Sequence, residues 1–274
     1  MEVNDKTGDI TPPIEPGTDQ ETLEDFILGG MRVFQPRHGY RFSIDAVLLA
    51  YFADIKPGES VMDFGTGCGV IPLILAWREE NAAITGIDIL PAAAKRAERN
   101  VLLNGLSHRI KIIQGDIKDI QNCLTRNSVQ VVLSNPPYWK KNEGKISQNE
   151  EEAMARHEIG MELKDVVQAA GYLLSVGGRF YIIQRSDRLP ELLKLLAESD
   201  FYPARIRMVH SLAEQPAKML LVEAFKSKKA RFTVSPPLII YSAPGVYSPE
   251  VSAMYTHSKN DSEEISRRQE AGVK

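Results

Sequence analysis

Short apolar runs alternate with longer segments along most of this chain. The short runs have the length of buried β-strands and lie at 60–64, 83–88, 110–114, 129–134 and 179–184. The longer segments have the length and pattern of helices and lie at 44–52, 70–77, 91–104, 117–126, 161–174 and 189–198. This alternation is typical of a mostly parallel sheet with right-handed crossovers, so we predict an α/β protein with helices on both faces of the sheet.

The pattern changes towards both ends of the chain. Two consecutive strand-like runs, 204–210 and 219–225, are joined by a loop around Pro216 and predict a C-terminal antiparallel hairpin. They bring the predicted sheet to seven strands, and 238–241 is a candidate for one more edge strand. Apolar and polar residues alternate along 31–42, which predicts a hairpin or a cap before the first helix.

Polar segments bound the predicted domain. Residues 1–24 predict a disordered tail, and residues 246–274 predict a C-terminal tail that frays. Between them we expect a single domain, 25–245, made of an N-terminal cap (25–55) and a core (56–245).

Composition and charge narrow the range of partners. The formal net charge is −3, so a nucleic-acid partner would need a local basic patch. Cys68 and Cys123 form neither a disulfide framework nor a zinc cluster, which fits a reducing cytosol. The sequence shows no secretory leader and no apolar run of membrane-spanning length. We therefore predict a cytoplasmic protein without a metal or a membrane segment.

A glycine-rich loop follows the first strand of the core. Gly65-Thr66-Gly67-Cys68-Gly69 connects that strand to a helix, where glycines let the backbone approach a ligand and the helix start offers free N–H groups. Asp88 ends the next strand, 23 positions after Gly65 (88 minus 65). Nucleotide-binding α/β folds place the acid that binds ribose hydroxyls at about this spacing.

Three acids occur on successive strands of the predicted sheet. Asp63, Asp88 and Asp116 lie at or near the carboxyl ends of their strands, where open α/β sheets bind ligands. A single acid at such a place is more often a helix cap. The set of three indicates a ligand crevice instead.

The tetrapeptide Asn135-Pro136-Pro137-Tyr138 follows the strand 129–134. The two prolines fix the backbone and leave carbonyl groups free to accept hydrogen bonds. The Asn135 oxygen and the Pro136 carbonyl can accept both protons of a planar NH2 group, and Tyr138 can stack on its plane. The alternative is that the prolines simply end the strand.

Taken together, 61–69, Asp88, Asp116 and the Asn-Pro-Pro-Tyr turn resemble class I S-adenosylmethionine-dependent methyltransferases that act on planar nitrogens. Two flanking segments, 41–49 and 247–255, are similar to the bacterial family that includes the valine-tRNA adenine-N6 methyltransferase. The resemblance implies a Rossmann-like fold, S-adenosylmethionine as the methyl donor, and adenine N6 of an RNA as the acceptor. The expected RNA is a tRNA, methylated in its anticodon loop.

The resemblance also implies roles for individual residues. Those around the methionine part of the donor would be Asp63, Gly65, Gly67 and Gly69. Asp88 would bind the ribose hydroxyls, and Asp116 with Ile117 would meet the adenine ring. The acceptor would be held by Asn135, which also borders the donor, by Pro136 and by Tyr138. Asp45 would lie near the methionine end or the mouth of the site, although a charge favoured by the helix dipole explains it equally well.

Basic residues near the expected mouth are candidates for phosphate contacts: Arg32, Arg37, Arg41, Lys140, Lys141, Lys145 and Arg156. The acids interspersed among them make a mixed solvated surface an equal alternative. A second basic run, 226–231, is more simply a solvated strand end.

Other functions share parts of this pattern. Protein glutamine N5-methyltransferases use the same turn on an amide NH2 but usually carry a helical domain before the core. Guanine-N2 methyltransferases of rRNA usually have Phe in place of Tyr138. A DNA adenine enzyme would need a large recognition domain, which the remaining chain is too short to supply. A non-catalytic donor- or RNA-binding protein would retain the donor site without turnover.

Overall fold

The computed structural model describes residues 21–25, 30–38, 41–138 and 161–256. Residues 1–20, which make up most of the predicted N-terminal tail, and residues 139–160 lie outside the described residues. So does the end of the chain after residue 256.

The strands fall into three groups along the chain. An N-terminal hairpin consists of β1 (Glu21–Asp25) and β2 (Arg32–Pro36). The core strands are β3 (Ser60–Phe64), β4 (Ala83–Asp88), β5 (Ile110–Gln114), β6 (Val129–Ser134), β7 (Leu174–Arg185), β8 (Phe201–His210) and β9 (Ala217–Lys226). Four short strands follow: β10 (Thr233–Val234), β11 (Leu238–Ile239), β12 (Tyr241–Ala243) and β13 (Val246–Tyr247).

The α-helices are α1 (Ile44–Phe52), α2 (Val70–Arg78), α3 (Pro91–Leu103), α4 (Ile120–Cys123), α5 (Leu163–Leu173), α6 (Leu189–Glu198) and α7 (Pro249–Thr256). Single 3₁₀ turns occupy Ile117–Asp119 and Ser186–Arg188. Within the described part of the chain, no helix combines the length and apolarity needed to cross a bilayer.

The central sheet confirms the predicted α/β fold. Its strands run in the order β10-β8-β9-β7-β6-β3-β4-β5, and β11 also pairs with β8. The strands from β7 to β5 in that order are parallel, whereas β9 is antiparallel to both β7 and β8. The seven core strands and the C-terminal hairpin are therefore as predicted. The short β10 and β11 widen the sheet to nine strands.

Alternating residues of the core strands belong to two separate hydrophobic cores. Val61 and Val131 point into a core shared with α1, α2, α3 and α7. Met62 and Val132, their neighbours along the same strands, point into a second core shared with α5 and α6. Because successive strand residues face opposite sides, both sheet faces are buried under helices, as a mostly parallel sheet requires.

The helix predicted at 117–126 is mostly absent. The structure has a 3₁₀ turn there, followed by α4, which ends at Cys123. Only Ile117 and Ile120 are buried in this stretch. An apolar face of about one turn cannot hold a longer helix against the sheet.

The C-terminal prediction was also wrong in part, because α7 lies within the tail predicted from residue 246. Val251 is fully buried and Met254 is 7% exposed, and both belong to the first core. The two residues are three positions apart and so share one face of the helix. At the other end, β1 begins at Glu21, inside the predicted tail 1–24.

The N-terminal hairpin is fastened to α3. The buried Asn100 side chain accepts a hydrogen bond from the Phe34 amide (2.6 Å) and donates to the Phe34 carbonyl (3.0 Å) and the Cys68 carbonyl (2.9 Å). Glu21 forms ion pairs with Arg96 and Arg99 at 3.0 and 2.6 Å. One buried amide thus joins the hairpin, the helix and the glycine loop.

Candidate active site

A cleft opens at the carboxyl ends of β3 to β6, where the strand order reverses. The chain leaves β3 towards β4 and β5 on one side and returns to β6 on the other. Phe64 and Ser134, the last residues of β3 and β6, pair with each other, so Gly65 and Asn135 lie side by side. Such a switch point is where open α/β sheets bind ligands.

The glycine loop needs its glycines for backbone reasons. Gly65, Gly67 and Gly69 have φ values of 70°, 56° and 80°, which side chains rarely tolerate. The Gly65 and Thr66 amides both donate to the Ile87 carbonyl, at 2.9 and 3.0 Å. A Cβ on Gly65 would lie 3.2 Å from the Met161 methyl group. The loop therefore curls tightly over β4 and presents main chain to the cleft.

Most of the predicted site residues line this cleft. They are Gly65, Gly67, Asp88, Asp116, Ile117 and Asn135. The other five predicted residues, all in the described part of the chain, are not part of the cleft lining: Asp45, Asp63, Gly69, Pro136 and Tyr138.

Asp88 ties the glycine loop to the start of α3. One carboxylate oxygen accepts from the Gly67 amide at 2.8 Å, and the other accepts from the Leu90 amide at 2.9 Å. A carboxylate offers about four lone-pair sites, so capacity remains for ligand hydroxyls. Asp88 is 8% exposed and borders the cleft.

Asp116 follows β5 and caps the short 3₁₀ turn. Its side chain accepts from the Lys118 amide at 2.9 Å, and the Lys118 ammonium lies 3.5 Å away. The next residue, Ile117, is 5% exposed and presents an apolar wall to the same cleft. An acid beside an apolar wall suits a flat heterocycle with polar edges.

Asp63 is fully buried beneath the glycine loop. Neither of its oxygens forms a hydrogen bond with a described residue. Burial raises its pKa to about 8; the nearby Thr66 hydroxyl lowers the pKa, and the charge of Asp88 raises it. Burial therefore favours the protonated form of this side chain.

The acceptor turn is held by a residue from a distant part of the chain. The Tyr138 hydroxyl donates to Asp45 Oδ2 at 2.6 Å and lies 2.7 Å from Asn135 Oδ1. Ser43 Oγ donates to the same Asp45 oxygen at 2.8 Å. Asp45 thus contacts the acceptor turn. Asp45 is also in the first turn of α1, where the helix dipole favours a negative charge.

Comparison with known proteins identifies the family. A methyltransferase domain family model matches residues 55–231. A tRNA1(Val) (adenine(37)-N6)-methyltransferase of Porphyromonas gingivalis is 34% identical over 218 residues, which cover 77% of this chain and 85% of the relative. The chain belongs to this methyltransferase family. An enzyme of the same name from a Flavobacteriaceae bacterium is 30% identical, and the match covers 79% of this chain and 90% of the relative. Another from Haemophilus influenzae is 31% identical, and the match covers 76% of this chain and 86% of the relative.

Solved structures share the fold of this methyltransferase. A predicted O-methyltransferase from Agrobacterium tumefaciens superposes with a TM-score of 0.63 at 23% identity, covering 77% of this chain and 95% of that one. An S-adenosylmethionine-dependent O-methyltransferase from Thermotoga maritima gives 0.50 at 20% identity, over 70% and 68% of the two chains. The predicted Rossmann-like methyltransferase fold is confirmed.

The cofactor of this methyltransferase is S-adenosylmethionine, as predicted. The cleft fits it. The glycine loop offers backbone in a region where a Cβ is excluded, and Asp88 retains acceptor capacity for hydroxyls. Ile117 and Leu90 line the cleft with apolar surface for a ring. Within the described residues, no cluster of three or more His, Cys, Asp or Glu could hold a metal ion.

Sequence reasoning missed several residues of the cleft. Thr66 lies within the glycine loop and was available from the motif. Phe42, Arg96 and Met161 come from the cap, from α3 and from the residue range just before α5. Nothing in their local sequence indicates the cleft, because folding over the sheet alone brings them there.

The basic residues divide into three groups. Arg32, Arg37 and Arg41 are exposed, and Arg41 also forms an ion pair with Glu24. Lys140, Lys141, Lys145 and Arg156 lie outside the described residues. In the run 226–231, Lys226 is 8% exposed and donates to the Leu174 carbonyl at 2.6 Å. That run follows the carboxyl end of β9, which pairs with the first half of β7. It therefore lies at the amino ends of the parallel strands, on the opposite side of the sheet from the cleft.

Proposed function

We propose that this methyltransferase transfers a methyl group from S-adenosylmethionine to N6 of an adenosine in the anticodon loop of a tRNA. One observation carries the proposal: the planar amide of Asn135 lies beside the glycine loop, at the boundary between the donor cleft and the acceptor turn. Relatives named for adenosine 37 of tRNA1(Val), matched over most of both chains, support the choice of acceptor.

The acceptor nitrogen of an adenine is a weak nucleophile, because its lone pair is delocalised into the ring. In our proposal, the Asn135 side-chain oxygen and the Pro136 carbonyl accept hydrogen bonds from the two N–H groups of the amine. They draw the nitrogen towards a tetrahedral shape and stabilise the positive charge that grows on it. Tyr138 stacks on the base, a contact worth about 1–3 kcal/mol.

The bound donor supplies an electrophilic methyl group on a sulfonium. The chain contributes position and electrostatics. The glycines 65, 67 and 69 and the buried Asp63 beneath them shape the methionine end of the cleft. Asp88 holds the ribose hydroxyls, and Asp116 with Ile117 holds the adenine. Orientation of two reactants in one cleft supplies much of the rate in a direct displacement. No covalent intermediate with the enzyme is needed, and the methylated nitrogen would release its extra proton to solvent.

An unpaired loop adenosine fits this site better than a base within a duplex. The target must leave its stack to reach the turn, which costs least in a loop. Exposed Arg32 and Arg37 on the cap are candidates for phosphate contacts, and RNA binding through them should weaken steeply with salt. We also infer that the enzyme works in the cytoplasm, where its substrate RNA would be found.

The test is transfer of labelled methyl from S-adenosylmethionine to unmodified tRNA, followed by digestion to nucleosides. We expect a labelled N6-methyladenosine peak that Asn135→Ala abolishes. Label in N2-methylguanosine, or label in protein glutamine without label in RNA, would overturn the proposed acceptor. Bound donor with no turnover on any of these would indicate a binding protein.

A further inference from the structure

The acceptor turn shares a chain of polar contacts with the start of α1. Tyr138 donates its hydroxyl proton to Asp45 Oδ2 at 2.6 Å, across 93 positions of sequence, and the same hydroxyl lies 2.7 Å from Asn135 Oδ1. Ser43 Oγ donates to Asp45 from the other side at 2.8 Å. The Tyr138 hydroxyl thus connects Asn135 to a carboxylate that does not line the cleft.

A tyrosine hydroxyl carries one proton, so Tyr138 can donate to only one of the two oxygens it contacts. A carboxylate is a stronger acceptor than an amide, and hydroxyl-to-carboxylate hydrogen bonds are typically about 2.5–2.7 Å long. The contacts of Tyr138 with Asp45 (2.6 Å) and with Asn135 (2.7 Å) are nearly equal in length, so the strength of the acceptor decides between them. The proton therefore belongs to the bond with Asp45, and the lone pairs of the Tyr138 oxygen face Asn135.

This direction decides how Asn135 is oriented. Two oxygens 2.7 Å apart with no proton between them repel each other, whereas the NH2 arm of the amide would donate to the tyrosine oxygen. The two arms of an amide have nearly the same shape, so a half turn of the side chain exchanges them at little steric cost. Nδ2 then faces Tyr138, and Oδ1 faces away from it.

We propose that Asp45 is a positioning residue for methyl transfer: acting through Tyr138, it turns the Asn135 oxygen towards the acceptor amine. The inference rests on the proposed function, in which that oxygen accepts a hydrogen bond from the amine. The order of donation is Asn135 Nδ2 to Tyr138 Oη, and Tyr138 Oη to Asp45 Oδ2. Hydrogen bonds in such a chain polarise one another, so the anionic end makes the Asn135 oxygen more negative as charge grows on the nitrogen.

The carboxylate is well placed to act as a fixed reference. Asp45 is in the first turn of α1, whose following residues 46–50 are all buried, and rigid elements position a site better than loops do. Burial raises the pKa of Tyr255 on α7, and the nearby charge of Asp45 adds a smaller contribution. Helix α1 therefore holds the Asp45 carboxylate in place, and the carboxylate determines the direction of the Tyr138 hydroxyl proton.

The test is a double-mutant cycle with Asp45→Asn, Tyr138→Phe and the combined variant. Each is measured for kcat and KM on tRNA and for the Kd of S-adenosylhomocysteine. We expect each single change to lower kcat by about 10- to 100-fold, as loss of an orienting partner does elsewhere, with the Kd unchanged. Because both changes break one chain, the combined variant should be no slower than Tyr138→Phe alone. Asp45→Ala serves as a second variant with the same expectation.

Two controls separate position from charge. Asp54→Asn neutralises an exposed carboxylate just after the same helix and should leave kcat at the wild-type value. Ser43→Ala removes only the second hydrogen bond to Asp45 and should lower kcat less than Asp45→Asn does.

Several outcomes would overturn the inference. If the losses in kcat multiply in the combined variant, Asp45 acts independently of Tyr138. An equal loss of S-adenosylhomocysteine affinity would show that Asp45 supports the donor cleft instead. Both results leave the proposed function standing. Absence of RNA methylation by the wild-type enzyme would overturn the proposed function and this inference with it.

Discussion

The two halves of the active site are held in different ways. On the donor side, Asp88 binds the Gly67 and Leu90 amides, and Asp116 binds the Lys118 amide, over separations of at most 21 positions. On the acceptor side, Tyr138 binds the Asp45 carboxylate across 93 positions. Hydrogen bonds from main-chain amides therefore hold the donor half, and hydrogen bonds between side chains hold the acceptor half.

This contrast predicts different consequences for mutation. Backbone amides always donate, so the donor half has one hydrogen-bonding arrangement and its carboxylates bear mainly on affinity. Hydroxyl and amide groups can reverse their roles, so the acceptor half depends on a charge to set the direction. Changes in the donor half should therefore appear in Kd, and changes in the acceptor half should appear in kcat.

The largest effect is expected for Asn135→Ala. Removal of a group that stabilises the charge of a transition state costs about 100- to 1,000-fold in kcat. The Kd of S-adenosylhomocysteine should stay at the wild-type value. Steady-state kinetics and calorimetric titration measure the two quantities, and Asn81→Ala, which truncates an exposed amide, is the control. Loss of donor affinity of equal size would remove the distinction between the halves.

On the donor side, Asp88→Ala should act on affinity. The variant loses the acceptor of one amide in the glycine loop and of one at the start of α3. Hydrogen bonds to a charged group contribute about 1.5–3 kcal/mol each. We expect S-adenosylhomocysteine to bind about 10- to 100-fold more weakly, with a smaller change in kcat at saturating donor. Asp119→Ala, an exposed acid after β5, should leave the affinity unchanged. A Kd equal to that of wild type would contradict the role assigned to Asp88.

Asp63 gives the donor half a characteristic pH dependence. Its pKa rises from 3.8 to about 8 in the folded state, chiefly through burial. Between these values the folded state keeps a proton that the unfolded state releases, so this residue lowers the free energy of unfolding as pH increases. Relative to Asp63→Asn, the wild type should therefore lose stability from pH 5 to pH 9. Urea denaturation across that range measures the difference, and a constant difference would contradict a raised pKa.

The smallest effect is expected for Val251→Ala on α7. The side chain is fully buried, and removing two carbon atoms should lower the free energy of unfolding by about 1–2 kcal/mol. The donor Kd should not change, because α7 contributes no residue to the lining of the donor cleft. Val246→Ala, at a 56% exposed position, is the matched control for stability. Equal stability of the two variants would show that α7 is not part of the folded core.

Much of the fold followed from the order of residues along the chain. The strands β3 to β6 have the bounds that their apolar runs predicted, and α6 spans the predicted residues. The glycine loop, Asp88 and Asp116 were found because strand ends, turns and caps depend on residues only a few positions apart. Parallel strands then bring their carboxyl ends to one edge, so a local pattern was enough to locate the donor cleft.

Other features depended on contacts that no local pattern contains. Arg96 and Met161 line the cleft only because α3 and the chain before α5 pack beside β3 and β4. Helix α7 is ordered because Val251 enters the first core, although its sequence is polar enough to predict a tail.

Asp45 shows the same division most clearly. By sequence, an acid in the first turn of a helix is explained by the helix dipole alone, and its partner cannot be identified. The sequence alone placed Asp45 in a helix, and it placed Asn135 and Tyr138 in the turn after a strand. Only the folded chain decided that they meet, because a hydrogen bond between side chains 93 positions apart requires the sheet to bring α1 and the end of β6 together.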